Sequence, residues 1–550
     1  MSPPRSRPAT AGIAPLPGAK PGRTTMNPAP LLWLCLLALG ATASAETPAD
    51  AVRAVPVAPD AAATTAWQTE PHLSVIPRTE AERARIAKVL APPTDFSAPE
   101  PFETKPAGAA TTRLMPGTEA FSQFSPNMPV DREMDFKIGN GIFRKLWVGA
   151  PSSTRGSDGL GPLYNARACQ NCHIKDGRGH MPDGPKDSRV SAFLRLSIPG
   201  GPDRPEIPGY IPTQPDPVYG GQLQDLALEG YLAEARMGVS WTEMPVTLAD
   251  GSVVSLRRPA YAVEAPAYGP PHPALQVSPR VAPQMIGLGL IEAVPVADIL
   301  AGADPEDADG DGISGRPQIV WSSQFDRPML GRFGHKAGNA TILEQSASAF
   351  SGDMGLSTPL FDSPSGECTD AQTDCRSAPS GQEPGIRDGV EVDGASLDLV
   401  NFYSRNLAVP ERRGADDPRV LRGKEIAYTI GCTACHRPKF VTHRLKDQPE
   451  QSFQLIWPYT DLLLHDMGEG LADGRPESRA DGREWRTAPL WGIALNGKVT
   501  GVESYLHDGR ARSLIEAVLW HGGEAQAARD AVVNLPAEDR KALIAWLESL

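Results

Sequence analysis

A mainly α-helical fold with only a small β-hairpin is what this sequence predicts, and three observations predict it. The pattern Cys-x-x-Cys-His occurs twice, at Cys169, Cys172, His173 and at Cys432, Cys435, His436. Apolar residues fall at helical spacing before the first copy (Ile142, Leu146, Trp147) and again at the C-terminus (Leu543, Trp546, Leu547, Leu550). Only Thr247 to Leu256, with a turn at Asp250-Gly251 between β-prone runs, reads as a hairpin.

Two cysteines flanking two residues, with a histidine next, form the attachment signature of c-type haem. The thiols add across the two vinyl groups along one edge of the porphyrin, and the histidine brings an imidazole beneath the iron. One copy is a short word, but two copies use four of the seven cysteines. The alternatives are a zinc site built from both Cys pairs and a thioredoxin-like redox pair; neither needs the histidine twice. Two haem c groups call for two cytochrome c-like haem domains, with short helices around rings that supply much of the apolar core, and with loop-rich insertions between.

A chain of 550 residues has room for two or more domains. The net charge of -13 argues against nucleic acid as a partner and favours solubility. It leaves room for docking of a periplasmic electron-transfer partner. Residues 1–45 read as a signal peptide. The apolar run Leu31 to Leu39 is too short to span a bilayer, and Ala43-Ser44-Ala45 offers a cleavage site before Glu46. The start is Met1, with Lys20 and Arg23 ahead of the run, or Met26, without them. No other run of about 20 apolar residues occurs, so the mature chain is expected in the periplasm without a transmembrane segment. Residues 46–115 read as a Pro/Ala-rich extension with a short helix at Glu80 to Lys88. Residues 116–355 are expected to form the first haem domain with its insertions. Residues 356–412 would be a linker with a helix at Leu397 to Tyr403, and residues 413–550 the second haem domain. The last helix has Pro536 in its first turn and Glu538 and Asp539 near its N-terminus.

Two further stretches carry chemistry. Cys368 and Cys375 lie in a polar loop; in an exported protein they pair as a disulfide, the alternative being a free reactive pair. Asp307, Asp309 and Asp311 alternate before Gly312, as at the opening of a calcium loop, but Gln318 stands where such a loop carries a bidentate Glu. The alternative is a solvated acidic turn.

The words GPLYNARACQNCHIKDGRG, IGLGLIEAVP, DADGDGISGRP, FSGDMGLSTPLF, YTDLLLHDMG, EWRTAPLWGIAL, HDGRARSLIEAV and WHGGEA, spread over residues 115–550, carry a resemblance. The chain resembles the di-haem cytochrome c peroxidase superfamily, and within it the di-haem oxidoreductase branch, whose members are labelled peroxidase or thiol oxidoreductase. The resemblance implies a reactive first haem and a second haem that relays electrons. In the superfamily a Trp between the haems is followed by a Gln and then by an acid lining the reactive haem's open side. The matching positions here are His335, a departure from Trp, then Gln345 and Asp353. For Asp353 the alternative is a helix or turn cap, and for His335 an ordinary interior or surface histidine. The second haem's distal ligand is implied fourteen residues beyond the His of the HDG motif, which leads from His507 to His521. Met467 is the alternative axial ligand, since Met/His ligation is common in cytochromes c; His521 would then be a helix-end residue ahead of two glycines.

The expected function is a periplasmic haem oxidoreductase, peroxidase-like, acting on a peroxide or small-molecule substrate at the first haem. The alternative is a non-enzymatic di-haem electron carrier. Each Cys pair is expected to hold one haem by thioether bonds, so acid-acetone extraction should leave all haem on the denatured chain. Extraction of half the haem would leave one of the two pairs unused.

Overall fold

The computed structural model describes residues 65–115, 117–182 and 191–550. The expected signal peptide lies outside the described residues, as does the start of the Pro/Ala-rich extension. Proline and glycine set the texture of the rest. With 56 Pro and 53 Gly in 550 residues, runs of helix or strand are interrupted early. The longest helices, Ile342–Met354 and Ala537–Ser549, have 13 residues each.

This corrects the expectation of a mainly α-helical, cytochrome c-like architecture. Among the described residues helix accounts for only 28% and strand for 18%, in 14 short helices and many small sheets. Among the described residues seven sheets have two strands and one has three. The C-terminal helical spacing is real, with Leu543, Trp546 and Leu547 on helix Ala537–Ser549, but the helix before the first Cys pair is Glu133–Phe143 and ends before Leu146 and Trp147. Between those segments the chain is held by turns and by side chains bonded to the backbone, which leave no hydrophobic period.

The hairpin is far longer than the stretch Thr247 to Leu256. Strands Arg236–Thr247 and Val253–Glu264 pair antiparallel over twelve positions, from Arg236 opposite Glu264 to Thr247 opposite Val253. Its tip turns at Asp250, whose carboxylate accepts from Ser252 N at 3.1 Å, and at Gly251 with φ 80°. The arm reaches across the molecule. Tyr261 donates to Asp508 at 2.8 Å, Arg257 Nε donates to the Arg510 carbonyl at 2.9 Å, and Arg540 meets Asp250 at 2.5 Å. A hairpin from the first half of the chain thus clamps the HDGR motif of the second half.

Residues 65–115, expected as an extended lead-in, are woven into the second half. Helix Glu80–Leu90 starts in a capping box: Glu82 N donates to Thr79 Oγ1 at 3.2 Å and Thr79 N to Glu82 Oε2 at 2.9 Å. Its buried face, Ile86 and Leu90, packs on Val441. Val75–Ile76 pairs with Arg444–Leu445, and Thr111–Thr112 runs parallel to Val409–Pro410. Between these lies a buried ion cluster in which Glu103 meets Lys424 at 2.8 Å and also pairs with Arg412.

The helix before the second Cys pair, Pro418–Thr429, is capped by Asp417, which accepts from Arg419 N at 2.8 Å, and begins with Pro418. It packs on helix Ala537–Ser549 so closely at Gly423 that a Cβ there would sit 2.0 Å from the Ala542 carbonyl. The described residues fall within one compact unit that contains both Cys-x-x-Cys-His segments. Among them no helix is long and apolar enough to cross a membrane.

Burial pushes the Glu103 carboxyl up, but Arg412 and Lys424 outweigh it and hold the group below its ordinary value. Its contribution is therefore present above the unfolded carboxylate range, about pH 4.3, and is lost as pH falls through the lower folded value. Glu103→Ala leaves buried Arg412 without a carboxylate and Lys424 with Glu100 alone, and should cost about 3 kcal/mol in a urea titration at neutral pH. That deficit should shrink on acidification through the carboxylate range.

Candidate functional site

The two Cys-x-x-Cys-His segments have the same local geometry. Each Cys pair spans one helical turn, Cys169–Cys172 and Cys432–Cys435, and the histidine leaves the turn with φ -98°, ψ 65° at His173 and φ -81°, ψ 61° at His436. His173 N donates to the Cys169 carbonyl and His436 N to the Cys432 carbonyl, both at 3.0 Å. Each ring is also tied in the same way. His173 Nδ1 lies 2.7 Å from the Pro283 carbonyl and His436 Nδ1 lies 2.9 Å from the Tyr459 carbonyl. A carbonyl only accepts, so Nδ1 carries the proton and Nε2 keeps its lone pair for a metal. Burial pushes both imidazoles down to about 4, so both are neutral at ordinary pH, as a ligand must be.

Both segments line one cavity of about 1100 Å³. None of these four cysteines is in a disulfide. Burial, then the charge of Asp353, pushes the Cys169 thiol up to about 12; burial, then Cys435, does the same at Cys432. Zinc-binding and redox-active thiols need the opposite shift. Among the described residues the two Cys pairs do not converge into a common donor set; Asp304, Asp307 and Asp309 form the group of that kind. The zinc and thioredoxin readings therefore find no support in the geometry. A haem finds more. Arg178 is pushed down to about 10 by burial, and its Nε and Nη2 have no hydrogen-bond partner among the described residues, nor do Arg475 Nε and Arg437 Nε. All three arginines line the cavity. Buried guanidinium groups with free donors suit the carboxylates that a porphyrin carries.

At the second segment, His521 follows helix Leu514–Leu519, with Nδ1 2.8 Å from the Ala517 carbonyl. Its ring centroid is 6.4 Å from that of His436. Two metal–imidazole bonds of about 2 Å, plus the two ring radii, add to roughly the same span. Met467 lies half-buried in the same cavity wall. His465 has no nitrogen to spare: Nε2 meets Asp461 at 2.8 Å and Nδ1 meets Glu524 at 2.6 Å. Burial works against charge here, but Asp461, and after it the Cys435 sulfur, prevail and hold His465 well above its ordinary value, its Nδ1 3.6 Å from Cys435 Sγ.

At the first segment, helix Ile342–Met354 brings Gln345 and Asp353 to the cavity. Thr341 caps that helix by accepting from Glu344 N at 3.1 Å. Asp353 sits in the last turn, where a negative charge meets the wrong end of the helix dipole, so its side chain is no cap. Its Oδ1 accepts from Gln222 Nε2 at 2.8 Å, and Gln222 Nε2 also reaches Asn165 Oδ1 at 2.7 Å. Burial pushes the Asp353 carboxyl up, opposed by Arg195. Gln345 Oε1 accepts from Asn339 at 3.0 Å. His335 lines the cavity too, but its Nε2 is tied to the Val281 carbonyl at 2.8 Å, two residues before the Pro283 carbonyl that holds His173.

Several cavity residues escaped the sequence reading. Trp485 and His507 stack at 3.6 Å and 16°, with Lys336 Nζ 4.5 Å above the indole. Both lie inside words quoted for the resemblance, yet no spacing ties one to the other. Gln222 comes from a distant segment and carries no motif at all. The acidic loop also differs from its expected form. Asp304, Asp307 and Asp309 bring carboxylate oxygens within 4.8 Å of one another, and Asp311 is not part of that trio. Gln318 is a buried brace, donating to the Lys336 and Glu477 carbonyls at 2.9 and 2.8 Å. Cys368 and Cys375 are joined by a disulfide, with Cα atoms 6.1 Å apart.

No curated protein and no solved structure matches the chain. The model of the family described as di-haem oxidoreductase, putative peroxidase, matches residues 102–550, the stretch that holds both Cys-x-x-Cys-His segments and the cavity residues described above. With that match spanning most of its length, the chain belongs to the di-haem oxidoreductase family.

Proposed function

We propose that the chain is an exported, periplasmic oxidoreductase that reduces a peroxide at its first haem and relays electrons through its second. The observation that carries this reading is the difference between the two ends of the cavity. Opposite His436 stands a second imidazole, His521, at the span of a shared metal. Near Cys169 stands an acid, Asp353, with an amide, Gln345, on the same helix. One end has the donors to close an iron's coordination; the other has groups suited to handling protons.

In this reading Cys169, Cys172 and His173 would hold the first haem, and Cys432, Cys435, His436 and His521 would hold the second. The haems would supply the redox chemistry. The chain supplies proton chemistry and position. Asp353, with Oδ1 held by Gln222, takes the proton from the near peroxide oxygen and returns it to the far oxygen as the O–O bond breaks. Gln345 orients the bound oxygen through its amide. Arg178 and Arg475 anchor the porphyrin carboxylates. The electron source is a periplasmic redox partner delivering at the second haem. A calcium ion bound by the Asp304, Asp307 and Asp309 trio would stiffen the adjoining loop.

Asp353→Asn keeps the size and removes the proton acceptor. Decay of added peroxide should slow about 100-fold, the range typical of a general acid-base group, with haem content unchanged. In the unmodified protein the same rate should fall as pH drops through the raised Asp353 value, because the acceptor must be ionised. An unchanged rate in the variant removes Asp353 from the chemistry.

His521→Gly should open the second iron and turn it high-spin, and His521→Met should raise that haem's potential, since a thioether favours the reduced iron. Met467→Ala should leave the spectrum as it is. A near-infrared sulfur-to-iron band that Met467→Ala abolishes would assign the ligand to Met467 instead. A ferric spectrum that is wholly low-spin and indifferent to peroxide would describe an electron carrier.

A further inference from the structure

Behind the first Cys-x-x-Cys-His segment, away from Asp353 and Gln345, lies a polar pair with no part in the reading above. Tyr403, on helix Gly394–Arg405, is only 1% exposed, and its hydroxyl donates to Asp176 Oδ1 at 2.6 Å. Asp176, 4% exposed, accepts a second hydrogen bond at Oδ2 from Ser122 Oγ at 2.5 Å. Among the described residues no cation lies within ion-pairing distance of that carboxylate. A buried carboxylate without a cation is expensive. A phenylalanine at 403 and an apolar residue at 176 would fill the same space without that cost.

The pair is also wired to the first segment. The Phe143 ring lies 5.2 Å from the Tyr403 ring and 6.2 Å from the His173 ring, centroid to centroid. Asp176 follows His173 by three residues in the same tight loop, Asp176 N donating to the His173 carbonyl at 3.0 Å. On the other side Tyr403 and Asp176 line a small cavity of about 100 Å³ with Ser122, Glu119, Arg144 and Lys175. That is room for water to exchange a proton with the carboxylate.

We infer that Tyr403 is a redox-active tyrosine that gives one electron to the first haem through Phe143 and His173, and its phenolic proton to Asp176. The inference rests on the proposed peroxide reaction. A hydroperoxide takes up two electrons and two protons as its O–O bond breaks to give an alcohol, or water from hydrogen peroxide, and water. Tyr403 gives one electron, the first haem would supply the other, and the two protons come from water by way of Asp353. Loss of that electron makes the phenol strongly acidic, and its proton crosses the existing hydrogen bond to Asp176 Oδ1, leaving a neutral tyrosyl radical. Two electrons arriving by way of the second haem would then restore the first haem and the radical, and the phenol takes back the proton held by Asp176. Tyr403 therefore stores an oxidising equivalent inside the protein when the second haem has no electron to deliver.

The test uses the full-length, haem-loaded protein mixed with hydrogen peroxide, frozen within the reaction, and read by electron paramagnetic resonance. The expected result is a tyrosyl radical signal whose hyperfine structure collapses when the protein is made with ring-deuterated tyrosine. Tyr403→Phe should abolish the signal while the absorbance response of the first haem to peroxide persists. Asp176→Asn keeps the phenol and removes the proton acceptor, so the radical yield should fall severalfold; it also serves should Tyr403→Phe fail to take up haem. A radical that survives in both variants overturns the inference, as does a first haem that reacts without any tyrosyl signal. Variants that lose only thermal stability, with the signal intact, make the pair a structural brace. A first haem that shows no response to hydrogen peroxide overturns the peroxide reading and this inference together.

Discussion

A hydrogen bond from imidazole Nδ1 to a main-chain carbonyl recurs at both Cys-x-x-Cys-His segments, and much of the chain is arranged to hold those two carbonyls still. Pro283 lies just past strand Gln276–Val281, which pairs with strand Ala192–Pro199. Tyr459 presents its carbonyl from a left-handed backbone, φ 52°, a strained conformation for a residue with a side chain. Its ring packs edge-on against Trp546 at 5.4 Å, and its hydroxyl reaches the Glu103 and Arg412 pair at 3.4 Å. The ion cluster that ties residues 65–115 to the second half therefore also steadies the carbonyl that orients His436. Stability and ligand geometry are linked through Tyr459, and a loss in one is a loss in the other.

The candidate site could be drawn from the sequence because the covalent attachment proposed for it would demand a local pattern. Two thiols and an imidazole must reach one ring, so Cys169, Cys172 and His173 are fixed within five positions, and likewise Cys432, Cys435 and His436. His521 was reached through a spacing carried by the resemblance, and the 6.4 Å ring separation is a separate physical reason to favour it over Met467. The fold class was not legible. Its sheets are mostly pairs of two- to four-residue strands, three of them joining segments far apart in sequence, such as Val75–Ile76 with Arg444–Leu445. Strands that short show no alternation to read. Trp485 over His507, and Gln222 on Asp353, failed to show for the same reason: each joins segments that only the folded chain brings together.

His465 gives the second segment a character the first lacks. An imidazolium held between Asp461 and Glu524 is buried beside Cys435. With Glu524 and Asp461 both ionised, the trio carries a net negative charge of one, and that charge sits close to any group attached through Cys435. Around the first segment the buried charged side chains include Arg178, Arg280 and Arg475, with Glu477 pairing the latter two at 2.8 and 3.0 Å, and Asp353 beside Cys169. Two identical Cys-x-x-Cys-His motifs are thereby set in different fields, and the difference comes from neighbours rather than from the motif.

The long hairpin has a bearing on how the molecule is made. Its strands emerge early in synthesis, yet the surface they grip, Asp508 and Arg510, is almost the last to leave the ribosome. The cavity wall likewise draws on residues from Leu90 to Leu547. No interior exists until nearly the whole chain is complete, whereas the four thiols become reachable one pair at a time. In the proposed reading a bulky planar group would therefore be best joined to the open chain, before Tyr261 and Arg257 latch onto the C-terminal segment. Folding would then close around cargo already in place.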